Sequence, residues 1–253
     1  MSRSDLRQFL MTLRLSPEQI RQRLEQIRSG LLAQSASIGN PNFEQLDEQD
    51  LAWLFEAYDT HFFNGLCRAC LEDVPLSFRV SSRLTSAGGK TSRFRRRGSQ
   101  RAERFEIAVS STLLMQSFAD LEREVTVAGV VCHDRLAALQ RIMEHELLHL
   151  IEMLVWDVSN CSAERFQSLA RQCFGHNGHR HALVTAREQA GVLGLRPGVR
   201  VTFPLDGRHQ VGVLNRVTKR ATVLVEDSRG VLYSDGKRYA KFYVPLDQLQ
   251  PCE

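Results

Sequence analysis

Apolar residues recur along most of the chain with a helical period, and the period changes twice. Ser16-Pro17-Glu18-Gln19 has the composition of a helix start, with Ser as N-cap, Pro at the first helical position and Gln at the third. Ile20, Leu24, Ile27 and Leu31 follow at helical spacing, and the polar stretch Gln34–Asn42 then predicts a linker. A second helix is predicted from Leu46 to Phe63. Its stripe of Leu51, Leu54, Phe55, Tyr58 and Phe62 ends at Asn64-Gly65. Between residues 76 and 112 the period falls to two: Leu76, Phe78 and Val80 alternate with polar neighbours, as do Phe105, Ile107 and Val109. Both read as half-buried strands. Ala87-Gly88-Gly89 and the basic run after it predict a further strand with a long exposed turn. Residues 115–134 show no clear pattern.

The longest uninterrupted helical pattern runs from Arg135 to Trp156, without Gly or Pro, with Leu136, Leu139, Ile142, Met143 and Leu150 in register. Another helix is predicted from Ser162 to Phe174, closed by Gly175. From Leu195 onward only short β-type runs appear, such as 199–203, 211–214 and 221–225, separated by Asp-Gly and Ser-Arg-Gly turns. The expected fold class is α+β. Its parts are an N-terminal helical arm (1–45), a central domain (46–190) and a C-terminal small SH3-like β-barrel (195–253).

Composition adds limits. Hydrophobic residues make up 43% of the 253 and charged residues 25%, as in a folded globular protein. No apolar run approaches the roughly 20 residues needed to cross a bilayer, and the arginine-interrupted N-terminus does not resemble a signal peptide. A cytoplasmic protein without a membrane partner is expected. Six cysteines with one CxxC pair, Cys67 and Cys70, suit reduced thiols better than a disulfide framework. The net charge of +4 lies after residue 195, where ten Lys/Arg face six Asp/Glu. A second cationic run, residues 90–104, contains Lys90, Arg93, Arg95, Arg96 and Arg97 around Phe94. These five are candidate contacts to a nucleic-acid backbone, which makes DNA a candidate partner.

One motif carries chemistry: His145-Glu146-Leu147-Leu148-His149. On a helix, positions i and i+4 share a face, so both imidazoles can reach one cation. Glu146 is placed to take a proton from a water that the cation acidifies, which is the zincin arrangement with Zn²⁺ as cofactor. Such a site needs a third protein ligand. Cys161, 12 residues beyond His149, is the first candidate, and His176, 27 residues beyond it, is the alternative.

At this point the chain resembles the SprT-like (Spartan-like) zinc metalloproteases. The resemblance spans about residues 50–185. It is carried in order by His61-Phe62-Phe63-Asn64-Gly65-Leu66, the Pro75–Val80 strand, Leu84-Thr85-Ser86-Ala87-Gly88, the segment Arg104–Leu114, the HELLH motif, the helix ending in Gly175 and a histidine at 181. It implies a zincin-like core of helices and a small antiparallel sheet, with zinc on His145 and His149 and Glu146 as catalytic acid/base. It further implies peptide-bond hydrolysis, in eukaryotic members directed at proteins crosslinked to DNA. The chain departs from the family in two places. Where the family has a third histidine, this sequence has Ser162 preceded by Cys161, and the cysteine-rich zinc ribbon of bacterial members is replaced by the β-rich tail. The expected activity is therefore a zinc endopeptidase acting on protein substrates. The alternative is a non-catalytic, zinc-stabilised nucleic-acid-binding protein.

Overall fold

The computed structural model describes residues 3–95, 103–118 and 123–252. The chain divides into two compact units, residues 1–183 and 184–253.

Helices α1 (Arg3–Thr12), α2 (Pro17–Gln34), α3 (Glu48–Phe63) and α4 (Leu66–Leu71) open the first unit. α2 begins where its capping signal predicts: the Ser16 hydroxyl accepts from the Gln19 N–H, and the Gln19 side chain accepts from the Ser16 N–H. α3 starts at Glu48 because Asp47 and Asp50 form the same reciprocal cap. It stops because Asn64 turns into the left-handed region (φ 54°). Leu6, Leu10, Ile20, Leu24, Ile27 and Leu31 join Leu51, Phe55, Tyr58 and Phe62 in one apolar core, so α1 and α2 are part of that core. α1 lies ahead of the first predicted helix.

Strands β1 (Leu76–Ser81), β2 (Gly89–Arg95) and β3 (Glu103–Ser110) form a sheet in the order β1-β3-β2. The expected all-antiparallel sheet is corrected here, because β1 and β3 are parallel. The β2–β3 hairpin folds back so that β3 lies in the middle. There Phe105, Ile107, Ala108 and Val109 are buried, while β2 has no second strand partner among the described residues. Residues 115–134, unreadable from their pattern, contain the end of α5 (Ser111–Ser117) and the hairpin β4 (Val125–Val127)–β5 (Val130–Cys132). Its turn places Ala128 and Gly129 at positive φ (53° and 74°), and a β-carbon on Gly129 would stand 2.7 Å from the Gly178 nitrogen. β4 also pairs with the two-residue β6 (His181–Ala182), which brings residue 181 back beside the sheet.

Helix α6 (Arg135–Trp156) is the axis of the unit. Asp134 caps its start by accepting from the Ala137 N–H, and Asp157 ends it at φ 62°. It packs against α1, α3 and α5, against α7 (Glu164–Phe174), and against β2, β3 and β4, so it is buried on nearly every side. A helix this enclosed has no natural solvent face for polar residues. Its buried Glu144, His145, Glu146 and Glu152 therefore each need a specific reason to be there.

The second unit holds α8 (Ala186–Val192) and the strands β7 (Arg200–Leu205), β8 (Arg208–Val217), β9 (Ala221–Leu232), β10 (Arg238–Val244) and β11 (Gln250–Pro251). They form an antiparallel sheet in the order β10-β9-β8-β7-β11 over a core of Leu195, Val201, Phe203, Leu214, Val223 and Val244. Among the described residues no pairing of β10 with β11 closes this sheet into a barrel. The molecule is thus an α+β protein with two mixed or antiparallel sheets in the first unit and one in the second. No helix among the described residues is long and apolar enough to cross a membrane.

Candidate metal centre

His145 and His149 stand one turn apart on α6 and turn their Nε2 atoms toward each other, 3.1 Å apart. Nitrogens at that separation subtend roughly 100° at a cation about 2.0–2.1 Å from each, close to a tetrahedral angle. Phe166 of α7 packs against both rings, at centroid distances of 4.9 and 4.7 Å, and limits their rotation. The outer nitrogen of His149 is also held: Nδ1 lies 2.6 Å from Ser159 Oγ, which donates to Glu152 Oε2 at 2.8 Å. Because the Ser159 proton is committed to Glu152, Nδ1 of His149 is the donor in that contact. This leaves its Nε2 as an acceptor, turned toward His145 Nε2. Glu152, fully buried, is anchored in turn by Arg165 Nε at 2.6 Å and by the Asn160 N–H at 3.1 Å.

Both imidazoles are uncharged at neutral pH. Burial drives the His145 pKa down to about 2, helped by His181 and His149, and burial also lowers that of His149 against the opposing pull of Glu152. Neutral imidazole is the ligand form. Cys161, in the loop between α6 and α7, completes the group: its Sγ and the two histidine nitrogens all lie within 4.8 Å of one another. Two imidazoles and a thiol are a donor set suited to zinc. The sulfur stands farther out than a bound thiolate would, and burial, with Glu146 and Glu152 nearby, holds the thiol pKa up.

His176, the other candidate ligand, is placed elsewhere. Gly175 ends α7 at φ 69°, and the turn delivers His176 to Glu144, with Nε2 2.7 Å from Oε2. Glu144 also accepts from Tyr58 Oη at 2.8 Å and from Arg141 Nη1 at 2.9 Å. Glu144 precedes His145 by one residue, about 100° around the helix, so a histidine bonded to it points away from the pair. His181 comes closer, its ring 4.6 Å from that of His145, and burial lowers its pKa to about 4. The outer nitrogen of His145 and Nε2 of His181 are buried without a partner.

Glu146 lies beside the pair, out of solvent, against β2. The Thr91 hydroxyl sits 2.8 Å from both its Oε2 and its main-chain oxygen. Gly89 makes the approach possible: a β-carbon there would stand 2.6 Å from Cγ and 2.7 Å from Oε1 of Glu146. Among the described residues no cationic side chain pairs with this carboxyl. Burial raises its pKa to about 7, against the lowering effect of Thr91. Histidines, Glu146 and Cys161 line a cleft of about 570 Å³ whose other walls include Gly89, Lys90 and Thr91 of β2 and His179–His181.

Of the proposed nucleic-acid contacts, Lys90 is exposed at the rim of this cleft. Arg93, 11% exposed, pairs with Glu103 and with Asp157 Oδ1 at 2.8 Å, and Arg95 pairs with the same two carboxylates at 3.1 and 3.0 Å. These two arginines tie the β2–β3 hairpin to the end of α6. Arg96 and Arg97 lie outside the described residues. Cys67 and Cys70 are free thiols buried on α4.

Thr91, Ser159, Glu152 and Gly89 escaped the reading of the sequence. The one legible signal was the presence of carboxylates at 144, 146 and 152 inside an otherwise apolar helix. No protein-family model matches the chain, and neither a curated protein nor a solved structure does so.

Proposed function

We propose that the protein is a zinc-dependent endopeptidase of the SprT-like kind. The observation that carries this reading is the pair of Nε2 atoms 3.1 Å apart, beside an un-neutralised buried carboxyl in an open cleft. His145, His149 and Cys161 would hold the ion. Bound there, zinc supplies Lewis acidity toward a water and toward the scissile carbonyl oxygen. Glu146, its pKa near 7, is suited to accept the proton of the attacking water and to pass it to the departing amine nitrogen. Thr91 holds one oxygen of that carboxyl, which orients the other. The free edge of β2 at Gly89–Thr91 borders the cleft, and an extended polypeptide can add to such an edge through main-chain hydrogen bonds. That favours a peptide over a compact small molecule as substrate. Proteins bound or crosslinked to DNA are the substrate class suggested by the family resemblance. The C-terminal sheet, with register shifts at Leu214/Arg216 and Arg238/Tyr239 that help it curl, is read as an SH3-like module.

The test is cleavage of casein and of a DNA-bound protein, with and without DNA and a chelator. The wild type should cut, the chelator should stop it, and Glu146→Gln should lower the rate by about 10²–10⁴-fold with zinc retained. Full activity in Glu146→Gln refutes the assignment. Zinc binding without cleavage of either substrate favours the non-catalytic alternative.

A further inference from the structure

We propose that the C-terminal unit carries a nucleic-acid backbone site in the cavity bounded by Arg187, Arg196 and Arg216. This cavity, about 520 Å³, lies between α8, the loop before β7 and the end of β8. The three arginines are exposed, and among the described residues their guanidinium groups have no ion pair and no hydrogen bond. Among the described residues no carboxylate lines the space. Asn215 adds a polar group to its wall, and Pro197 and Val217 supply an apolar part.

The cations of the β9–β10 hairpin provide the contrast. Lys237 pairs with Glu226, Arg229 with Asp227, and Arg238 donates to the Gly230 carbonyl. Cations there are spent on internal partners, whereas those around the cavity border one space with no such partner among the described residues. Like charges gathered without a counter-charge cost stability, and a polyanion relieves that cost. Three guanidinium forks match phosphate oxygens bidentately, and a single carboxylate would neutralise only one of them. The cationic surface also continues past Val217 into exposed Lys219 and Arg220 on the β8–β9 turn, which extends it as a strip. A strip of cations beside an apolar wall suits a phosphodiester chain, with its sugars and bases against Pro197 and Val217.

The test uses the full chain and fluorescence anisotropy with labelled single-stranded DNA, duplex DNA and single-stranded RNA, between about 50 and 200 mM salt. Arg187→Gln, Arg196→Gln and Arg216→Gln combined should weaken binding at least about tenfold. They should also flatten the log–log salt dependence by about 2–3, since each phosphate contact contributes about 0.9. Lys237→Gln, Arg229→Gln and Arg238→Gln combined remove the same charge from the paired hairpin and should change affinity less than about twofold. Binding of either DNA or RNA with this pattern supports the site and identifies which polymer it prefers. The proposal is overturned if the cavity variant binds like the wild type, or if the hairpin variant loses as much. It is equally overturned if polyglutamate or pyrophosphate competes as well as nucleic acid at matched charge.

Discussion

Glu144 and Glu146 sit two residues apart on α6, both out of solvent, and their carboxyls are shifted in opposite directions. For both, burial pushes the pKa upward. At Glu144, Arg141, His176 and Tyr58 outweigh that push and hold it below the ordinary range. At Glu146 only Thr91 opposes it, and the pKa rises to about 7. Burial alone therefore does not decide the state of a carboxyl; its partners do. One face of the helix keeps a fully paired ion whose work is to position α6 against α3 and the turn after α7. The adjacent face keeps a carboxyl whose pKa is raised to about 7, next to imidazoles whose Nε2 atoms face each other. The first arrangement is what a stable core requires, and the second is of the kind that clusters at functional sites.

That contrast is broken most forcefully at Glu144. Glu144→Ala leaves Arg141 buried without its counter-charge and should destabilise the protein by about 3–5 kcal/mol in urea unfolding. A loss below about 1 kcal/mol would show that the pairing seen at Glu144 contributes little.

The same kind of change at Glu146 should have the opposite sign. In chelator-treated protein, the folded-state pKa of about 7 lies above the ordinary 4.5, so between those values the folded chain binds the extra proton. Stability from this group is full below pH 4.5 and is lost as pH rises through 7. Glu146→Gln removes the loss, so the variant should match the wild type near pH 4.5 and exceed it by roughly 2–3 kcal/mol at pH 8. Melting curves across that range check the prediction, and an unchanged difference between the two pH values contradicts it.

Gly89→Ala sharpens the comparison from the sheet side. The added methyl must displace Glu146 or Ile142, at a cost of about 1–3 kcal/mol, and should depress the proposed peptidase activity more than the proposed zinc affinity. Equal loss of both would mean that Gly89 supports the fold around the pair and not the carboxyl alone.

The helix bearing the motif was legible because everything it needs lies within one turn of one element. Its apolar register, its lack of Gly and Pro and the i, i+4 histidines are all local. The candidate third ligand was legible only as a choice: Cys161, named first, stands with the pair, whereas the turn at Gly175 carries the alternative, His176, to Glu144. Thr91 lies 55 residues from Glu146, on a strand whose place at the sheet edge follows from β3 entering between its neighbours. Strand order of that kind leaves no trace in hydrophobic period, and the same holds for the parallel pairing of β1 with β3. The hairpin at 125–132 was missed because its strands are three residues long and its turn is Ala-Gly where Asn-Gly would have announced it.

Zinc analysis combined with X-ray absorption at the zinc edge addresses the core of the account most directly. The wild type should carry one ion per chain, with two nitrogen neighbours at about 2.0–2.1 Å and one sulfur at about 2.3 Å. His145→Ala and His149→Ala should each lose it, Cys161→Ala should lose the sulfur signal, and His176→Ala should leave the spectrum unchanged. Zinc that persists in His145→Ala, or that vanishes in His176→Ala while surviving in Cys161→Ala, would contradict the centre described above.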